Sequence, residues 1–134
     1  MPSLIVDASV AVKWFFDETN SDRAVELQNS DAAFLAPDLV IAEIGNAAWK
    51  RFIRQEISAS DAAFVIQRAP PVFAALVPIL ELMAPAMSLC LHLKHPIYDC
   101  FYLALAEREK APLITDDEAL IAAARRANIK VRRL

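Results

Sequence analysis

The sequence predicts an α/β fold, a three-layer α/β/α sandwich around a mostly parallel sheet of four to five strands. Short apolar runs, such as "SLIV" at residues 3–6 and "APLIT" at 111–115, alternate with longer segments of helical periodicity. These runs are apolar along their whole length, which is typical of strands buried on both faces of a parallel sheet. The length of 134 residues suits one domain spanning residues 1–134.

The N-terminal half is predicted to alternate strands and helices. A first strand, "SLIVDAS", ends at Asp7, and helices follow over "VAVKWFFDE" and "SDRAVELQNS". The second strand, "AAFLAP", stops at Pro37, and Asp38 caps a long helix over "LVIAEIGNAAWKRFIRQ". Ser58 and Asp61 have the spacing of a capping box, which predicts that another helix begins there.

The C-terminal half continues the alternation. "AALVPILEL" contains a short edge strand, because Pro78 lacks the N–H that a central strand needs. A helix is predicted from about Pro85 to Lys94, and the next, within "HPIYDCFYLALAE", begins near Tyr98. "APLIT" is a buried strand, "DDEALIAAARRAN" a helix and "IKVRRL" a last strand.

Composition excludes several classes of protein. The single glycine, Gly45, excludes glycine-rich phosphate-binding loops. Cys90 and Cys100 lie in apolar segments, which predicts buried free thiols in a reducing cytoplasm and neither disulfides nor a zinc site. No uninterrupted apolar run reaches about 18 residues, and the N-terminus lacks the pattern of a signal peptide. We therefore expect a cytoplasmic protein with no membrane span.

Four acidic residues fall where a parallel sheet places its ligand site. Asp7 follows the first strand, and Asp117 follows "LIT" in another, so both are expected at the carboxyl edge of the sheet. Asp99 begins a helix that is otherwise almost entirely apolar, and Glu43 lies on the long helix. Like charges that share one pocket repel each other, and such a cluster persists when a divalent cation offsets the repulsion. Mg²⁺ and Mn²⁺ prefer oxygen ligands of this kind.

Each acid also has a structural explanation. Asp7 has the position of a helix N-cap, and the helix dipole favours a carboxylate at Asp99. Glu43 shares a helical stripe with polar neighbours, which is typical of a solvated face. Thr115 and Glu118 match a capping box, which would leave the aspartates between them in a first helical turn. His92 and His95 flank a turn without metal-ligand spacing, so both are expected to be structural or exposed.

The acids and their contexts, "VDAS", "AEIGNA", "YDCFYLALAE" and "LITDDEAL", resemble those of PIN-domain proteins. More narrowly, they resemble the VapC-type ribonuclease toxins of VapBC toxin–antitoxin pairs, over essentially the whole chain. The resemblance implies one or two Mg²⁺ or Mn²⁺ ions held by four catalytic carboxylates, those of Asp7, Glu43, Asp99 and Asp117. Ser9 and Thr115 match supporting hydroxyls, and Asp116 fills a variable position as a possible additional ligand.

The implied activity is metal-dependent hydrolysis of RNA phosphodiester bonds, and the implied partners are an antitoxin protein and a second copy in a homodimer. Five basic residues near the C-terminus either follow an RNA backbone or form a solvated end: Arg125, Arg126, Lys130, Arg132 and Arg133. Four aromatic residues are candidates for partner surface, although core burial is expected for at least half of them: Trp14, Phe15, Trp49 and Phe52.

Two other classes of α/β protein fit the sequence less well. A phosphatase of the haloacid-dehalogenase type needs a second aspartate two residues after Asp7, where this chain has Ser9. A receiver-like signalling domain needs its acidic pair early in the chain, whereas "DD" comes late. A non-catalytic PIN-like module that binds RNA or protein stays open as an alternative, because the presence of four acids does not by itself establish catalysis.

Overall fold

The computed structural model describes residues 2–134. Its strands are β1 (Ser3–Val6), β2 (Ala33–Pro37), β3 (Ala75–Val77), β4 (Leu113–Ile114) and β5 (Val131–Arg132). Its α-helices are α1 (Ala8–Ala11), α2 (Ser21–Gln28), α3 (Leu39–Ile53), α4 (Ala59–Arg68), α5 (Ile79–Leu93), α6 (Ile97–Glu109) and α7 (Glu118–Arg126). Short 3-10 turns cover Val12–Trp14 and Pro70–Val72.

The strands form one sheet in the order β3-β2-β1-β4-β5, and every pairing between neighbours is parallel. The predicted three-layer α/β/α fold is therefore confirmed. The connections between parallel strands of one sheet are right-handed in nearly all proteins. The helices between β1 and β3 therefore cover one face of the sheet, and those after β3 cover the other. The direction of winding reverses between β1 and β4, where Val6 is in register with Ile114. That reversal is the point at which open α/β sheets bind their ligands.

Helix α6 explains why its sequence is apolar on nearly every side. All seven consecutive residues from Cys100 to Ala106 are buried. The helix packs across β1, β2 and β4 on one side and against α5 on the other. Surrounded in this way, it needs no solvated stripe, and its first turn is brought to the ligand edge of the sheet.

Several predicted elements have the expected form. Strand β3 is an edge strand and ends immediately before Pro78. Helix α4 begins with the predicted capping box, in which Ser58 and Asp61 each accept a hydrogen bond from the other's backbone amide. Cys90 and Cys100 are free thiols, as predicted, although Cys90 is only half-buried. Burial raises the pKa of Cys100 to about 11, so this thiol stays protonated at neutral pH.

The helix predicted over "VAVKWFFDE" was wrong in extent. Helix α1 ends at Ala11 and passes into the 3-10 turn, after which the chain leaves helical geometry. The Ser21 hydroxyl donates to the carbonyl of Phe16 and accepts from the amide of Glu18. These local hydrogen bonds satisfy backbone groups that a longer helix would have used.

The start of α5 was also predicted wrongly. The helix begins at Ile79, six residues before Pro85. A proline inside a helix removes one backbone hydrogen bond and costs about 3 kcal/mol, but fully buried Leu82 and Ala86 flank it and hold both turns against the core. Asp38 supports the early start, because its carboxylate accepts from the amide of Ile79 at 3.1 Å. Asp38 is therefore the N-cap residue of α3, as predicted, but its side chain accepts no hydrogen bond from α3 and binds the first amide of α5 instead.

No helix within residues 2–134 combines the length and the apolar character that crossing a membrane requires.

Candidate active site

Asp7 is a buried carboxylate at the carboxyl end of β1, with only 5% of its surface exposed. One carboxylate oxygen accepts from the Thr115 hydroxyl at 2.6 Å. The other accepts from the Ser9 hydroxyl at 2.7 Å and from the amide of Val10, which makes Asp7 the N-cap of α1. The structure thus brings together Asp7 and both predicted supporting hydroxyls.

The surroundings of Asp7 disfavour its charge. Burial raises the pKa of Asp7 from 3.8 to about 7. The hydrogen bonds from Thr115, Ser9 and Val10 oppose this shift, and the negative charge of Glu43 adds to it. A carboxyl group of this kind gains from a cation placed beside it, because the cation stabilises the charged form.

The capping box that was the alternative, structural explanation of Thr115 and Glu118 is not present. Helix α7 begins one residue after Asp117, and it is Asp117 that caps it, with its carboxylate accepting from the amide of Leu120 at 2.9 Å. Thr115 is fully buried, so its hydroxyl donates to Asp7 and accepts from the amide of Asp117 at 3.0 Å. Thr115 therefore ties the start of α7 to Asp7, and Asp117 lies at the same edge in an exposed position.

Glu43 reaches the same region from α3. Its position on the helix is next to Ile44, which is fully buried, and Glu43 itself is half-buried. The Tyr102 hydroxyl on α6 donates to a carboxylate oxygen of Glu43 at 2.6 Å. Burial raises the pKa of Glu43; the hydrogen bond from Tyr102 lowers it, and the charge of Asp99 raises it further.

Asp99 lies in the first turn of α6, half-buried and bound to a histidine. The His95 Nε2 atom is 2.6 Å from a carboxylate oxygen of Asp99. His95 was predicted to be structural or exposed, and its contact with a candidate site residue was missed. The signal was the spacing of four residues between His95 and Asp99, which places a turn residue beside the first turn of the following helix.

Asp116, the possible additional ligand, is directed elsewhere. One oxygen of its carboxylate accepts from the amide of Leu134 at 3.0 Å, and the other lies 4.0 Å from the Lys13 ammonium. Its backbone amide donates to the Ser9 hydroxyl at 3.1 Å. Asp116 thus supports the loop that carries Thr115 and Asp117, while its charge faces the C-terminus.

Three of the four predicted acids form an electrostatic cluster. The charges of Glu43, Asp7 and Asp99 all contribute, after burial, to raising the pKa of Tyr102 well above its usual value of 10. Within residues 2–134, however, no three side chains of Asp, Glu, His or Cys are arranged so that they could hold a metal ion together. The acids share one edge of the sheet, but each carboxylate is turned toward its own hydrogen-bond partner.

The PIN domain family model matches residues 4–126, which include all four acids. The chain belongs to the PIN domain family. This PIN domain is 29% identical over 119 residues to Ribonuclease VapC3 of Pyrobaculum aerophilum, a match that covers 87% of this chain and 91% of that protein.

Two solved structures share the fold of this PIN domain. PAE2754 from Pyrobaculum aerophilum superposes with a TM-score of 0.66 at 24% identity, covering 91% of this chain and 86% of the other. FitAcB from Neisseria gonorrhoeae superposes with a TM-score of 0.64 at 17% identity, covering 96% and 95%. At these identities the likeness shows the fold alone.

The aromatic candidates for partner surface divide into two pairs. Trp14 and Phe15 are half-buried against the core, and the Trp14 indole donates to the carbonyl of Ala24 at 2.8 Å. Trp49 and Phe52 are exposed and line an apolar groove of about 530 Å³ between α3 and α4. The expectation that at least half would be buried is met if half-buried side chains are counted, and the second pair remains on the surface of this PIN domain.

Proposed function

We propose that this PIN domain is a metal-dependent endoribonuclease that hydrolyses RNA phosphodiester bonds at the sheet edge that carries Asp7, Glu43, Asp99 and Asp117. The observation that carries the proposal is the buried Asp7 carboxylate at the β1–β4 switch point, whose pKa is raised to about 7 by burial and, to a smaller extent, by the charge of Glu43. Perturbed carboxylates that lie together at a ligand edge are characteristic of functional sites. The likeness to Ribonuclease VapC3 supports RNA as the substrate.

The donor chemistry of these residues fits Mg²⁺ or Mn²⁺. All four acids offer carboxylate oxygens, which hard divalent cations prefer, and their mutual repulsion favours a bound cation. Asp99, Glu43 and Asp117 each use one carboxylate oxygen in a hydrogen bond, so metal binding would bring their second oxygens together while these hydrogen bonds stay in place. We infer a site for one or two ions, in which Asp7, Asp99 and Asp117 are the nearest ligands.

The residues at this site have different roles. Ser9 and Thr115 hold Asp7 in a fixed orientation through their two hydroxyls. When bound, a divalent ion lowers the pKa of a water and offsets the charge on the scissile phosphate. Glu43 is half-buried beside this position, where its carboxylate either binds the ion or accepts a proton from the attacking water.

Exposed cations near the C-terminus support an RNA-binding role. Arg125, Lys130 and Arg132 are exposed, whereas Arg133 is paired with Glu118 at 2.7 Å. Arg126 donates to a backbone carbonyl of α5. We infer that the exposed cations contact the phosphate backbone, so that RNA binding weakens as the salt concentration rises.

We further propose that the protein is the toxin of a type II toxin–antitoxin pair, acts in the cytoplasm, and forms a homodimer that binds an antitoxin. The likeness to Ribonuclease VapC3, together with the resemblance of the acidic motifs to VapC-type toxins, supports this setting. The surface supplies apolar area for two partners: the groove beside Trp49 and Phe52, and the outer face of α5, where Leu80 and Leu91 are largely exposed. Contiguous exposed apolar patches are typical of interaction surfaces.

The alternative is a non-catalytic PIN-like module that binds RNA or protein. One observation favours this alternative. Within residues 2–134, no three acidic, histidine or cysteine side chains are arranged so that they could hold a metal ion together. The two functions differ in one measurable property, because only an enzyme shortens the RNA.

The test is cleavage of a defined RNA by protein freed of metal with a chelator and then supplied with Mg²⁺ or Mn²⁺. We expect cleavage only after the ion is added back. Undiminished cleavage in excess chelator would contradict the metal-dependent site. RNA that is bound but left intact with either ion would support the binding module instead.

A further inference from the structure

Tyr102 combines deep burial with a polar contact to the candidate site. It is the largest of the fully buried side chains, with 1% of its surface exposed. Its hydroxyl nevertheless donates to Glu43, which is 59 positions away along the chain, at 2.6 Å. A buried phenol needs a hydrogen-bond partner, and here that partner is an acid of the site.

The two ends of this hydrogen bond differ in rigidity. Tyr102 lies within the continuous buried segment of α6, so the packing of the core fixes the position of its ring and hydroxyl. Glu43 is half-buried on α3, and a long glutamate side chain has several rotamers to choose from. The rigid tyrosine therefore sets the direction of the flexible glutamate.

The charges around Tyr102 keep its hydroxyl a donor. Burial, together with the charges of Glu43, Asp7 and Asp99, raises the pKa of the phenol well above 10. The phenol consequently stays protonated throughout the physiological pH range. In return, the donated hydrogen bond stabilises the charged form of the Glu43 carboxylate, which is the form that a cation would bind.

We propose that Tyr102 is a positioning residue of the site, whose hydroxyl fixes the Glu43 carboxylate within the acid cluster. This inference rests on the proposed function, since it assigns Glu43 a direct role at the metal. Because α6 also carries Asp99, one rigid helix would then set the positions of two acids, one of its own and one from α3.

The test replaces Tyr102 by phenylalanine, which keeps the buried ring and removes only the hydroxyl. The other tyrosine in the sequence, Tyr98, lies one turn earlier on the same helix and is 62% exposed, so Tyr98→Phe is a matched control. Mn²⁺ binding is measured by calorimetry without RNA. We expect the dissociation constant of Tyr102→Phe for Mn²⁺ to be 10- to 100-fold larger than that of the wild type, the usual effect of losing a partner of a metal ligand. Tyr98→Phe should leave it unchanged.

A double-mutant cycle with Glu43→Gln separates positioning from a general effect on the fold. If the tyrosine acts through Glu43, Tyr102→Phe should not weaken Mn²⁺ binding further once Glu43 is replaced. With RNA as substrate, kcat should fall while KM stays the same, because the hydroxyl orients a group at the reacting centre. Equal losses in both backgrounds, or unchanged Mn²⁺ affinity in a folded Tyr102→Phe protein, would overturn the proposal.

A second measurement leaves Tyr102 in place. In the Tyr98→Phe protein, Tyr102 is the remaining tyrosine, so its labelled ring gives one NMR signal that is followed during titration with Mg²⁺. We expect a saturating shift, and a signal that does not move would contradict the inference. Mn²⁺ binding that depends on Tyr102 in a protein that leaves RNA intact would refute the proposed function alone. A wild-type protein that binds no Mn²⁺ would overturn this inference, whether or not RNA is cut.

Discussion

Replacing Asp7 by asparagine should change how the stability of the metal-free protein depends on pH. In the folded protein the pKa of Asp7 is about 7, against 3.8 when the group is unperturbed. At about 1.4 kcal/mol per pKa unit, this rise corresponds to about 4 kcal/mol of folding stability that is lost when the group ionises. Burial of the charge is the main cause, so asparagine, which has none, should not incur this cost.

The sign follows from proton linkage. The folded protein holds the Asp7 proton more tightly than the unfolded chain, so the wild type loses stability as pH rises from 3.8 to about 7. Below 3.8 the group is protonated in both states and makes no difference. Asparagine has only one acceptor oxygen, so one of the hydrogen bonds that Asp7 accepts from Thr115 and Ser9 is lost. This loss lowers the free energy of unfolding by a nearly constant amount at every pH. The change in the difference between the two proteins across this pH range is therefore the quantity to measure.

The assay is urea unfolding of wild type and Asp7→Asn in chelator at a series of pH values. Exposed Asp31 serves as the matched control through Asp31→Asn. The free energy of unfolding of Asp7→Asn, relative to wild type, should rise by several kcal/mol between about pH 4 and pH 7. A difference that is constant with pH would refute the assignment of Asp7 as a buried carboxylate with a raised pKa.

Three other changes test the surroundings of the site. His95→Asn should weaken Mn²⁺ binding about tenfold by calorimetry because Asp99 loses its partner, while exposed His92→Asn should have no effect; equal losses would count against the contact. Asp99→Asn without metal should melt at least as high as wild type, because it removes a repelling charge, and it should lose most of the stabilisation by Mn²⁺; a destabilised variant with a full Mn²⁺ response would place Asp99 outside the site. In sedimentation, the wild type should self-associate and Leu91→Glu on the exposed face of α5 should weaken that association; a wild type that is monomeric at high concentration would exclude the dimer.

The alternation of buried strands and helices made the fold predictable from sequence. An uninterrupted apolar run such as "SLIV" indicates a strand that is buried on both faces of the sheet, and this pattern can be read from the sequence. The start of α5 was not predictable in this way, because the burial of Leu82 and Ala86 outweighs the local effect of Pro85. That burial is a tertiary property which no local pattern reveals.

The neighbourhood of the site was predictable only in part. Asp7 and Thr115 follow adjacent parallel strands, so their meeting could be expected from sequence. Thr115 was predicted as a supporting hydroxyl, with a capping box as the alternative, and the capping-box spacing alone could not show that its hydroxyl donates to Asp7. The contact between Tyr102 and Glu43 joins two helices far apart in the chain, and local spacing carries no signal for it.

The most direct test of the central claim is RNA cleavage in Mn²⁺ by wild type, Asp99→Asn and Asp31→Asn, from identical nuclease-free preparations. Both substitutions remove one negative charge, but only Asp99 belongs to the acid cluster. We predict that wild type and Asp31→Asn cut the RNA at the same rate. Asp99→Asn should be at least about 100-fold slower, since losing even the partner of a metal ligand costs 10- to 100-fold. Equal cleavage by all three proteins would contradict the claim that these acids form the active site.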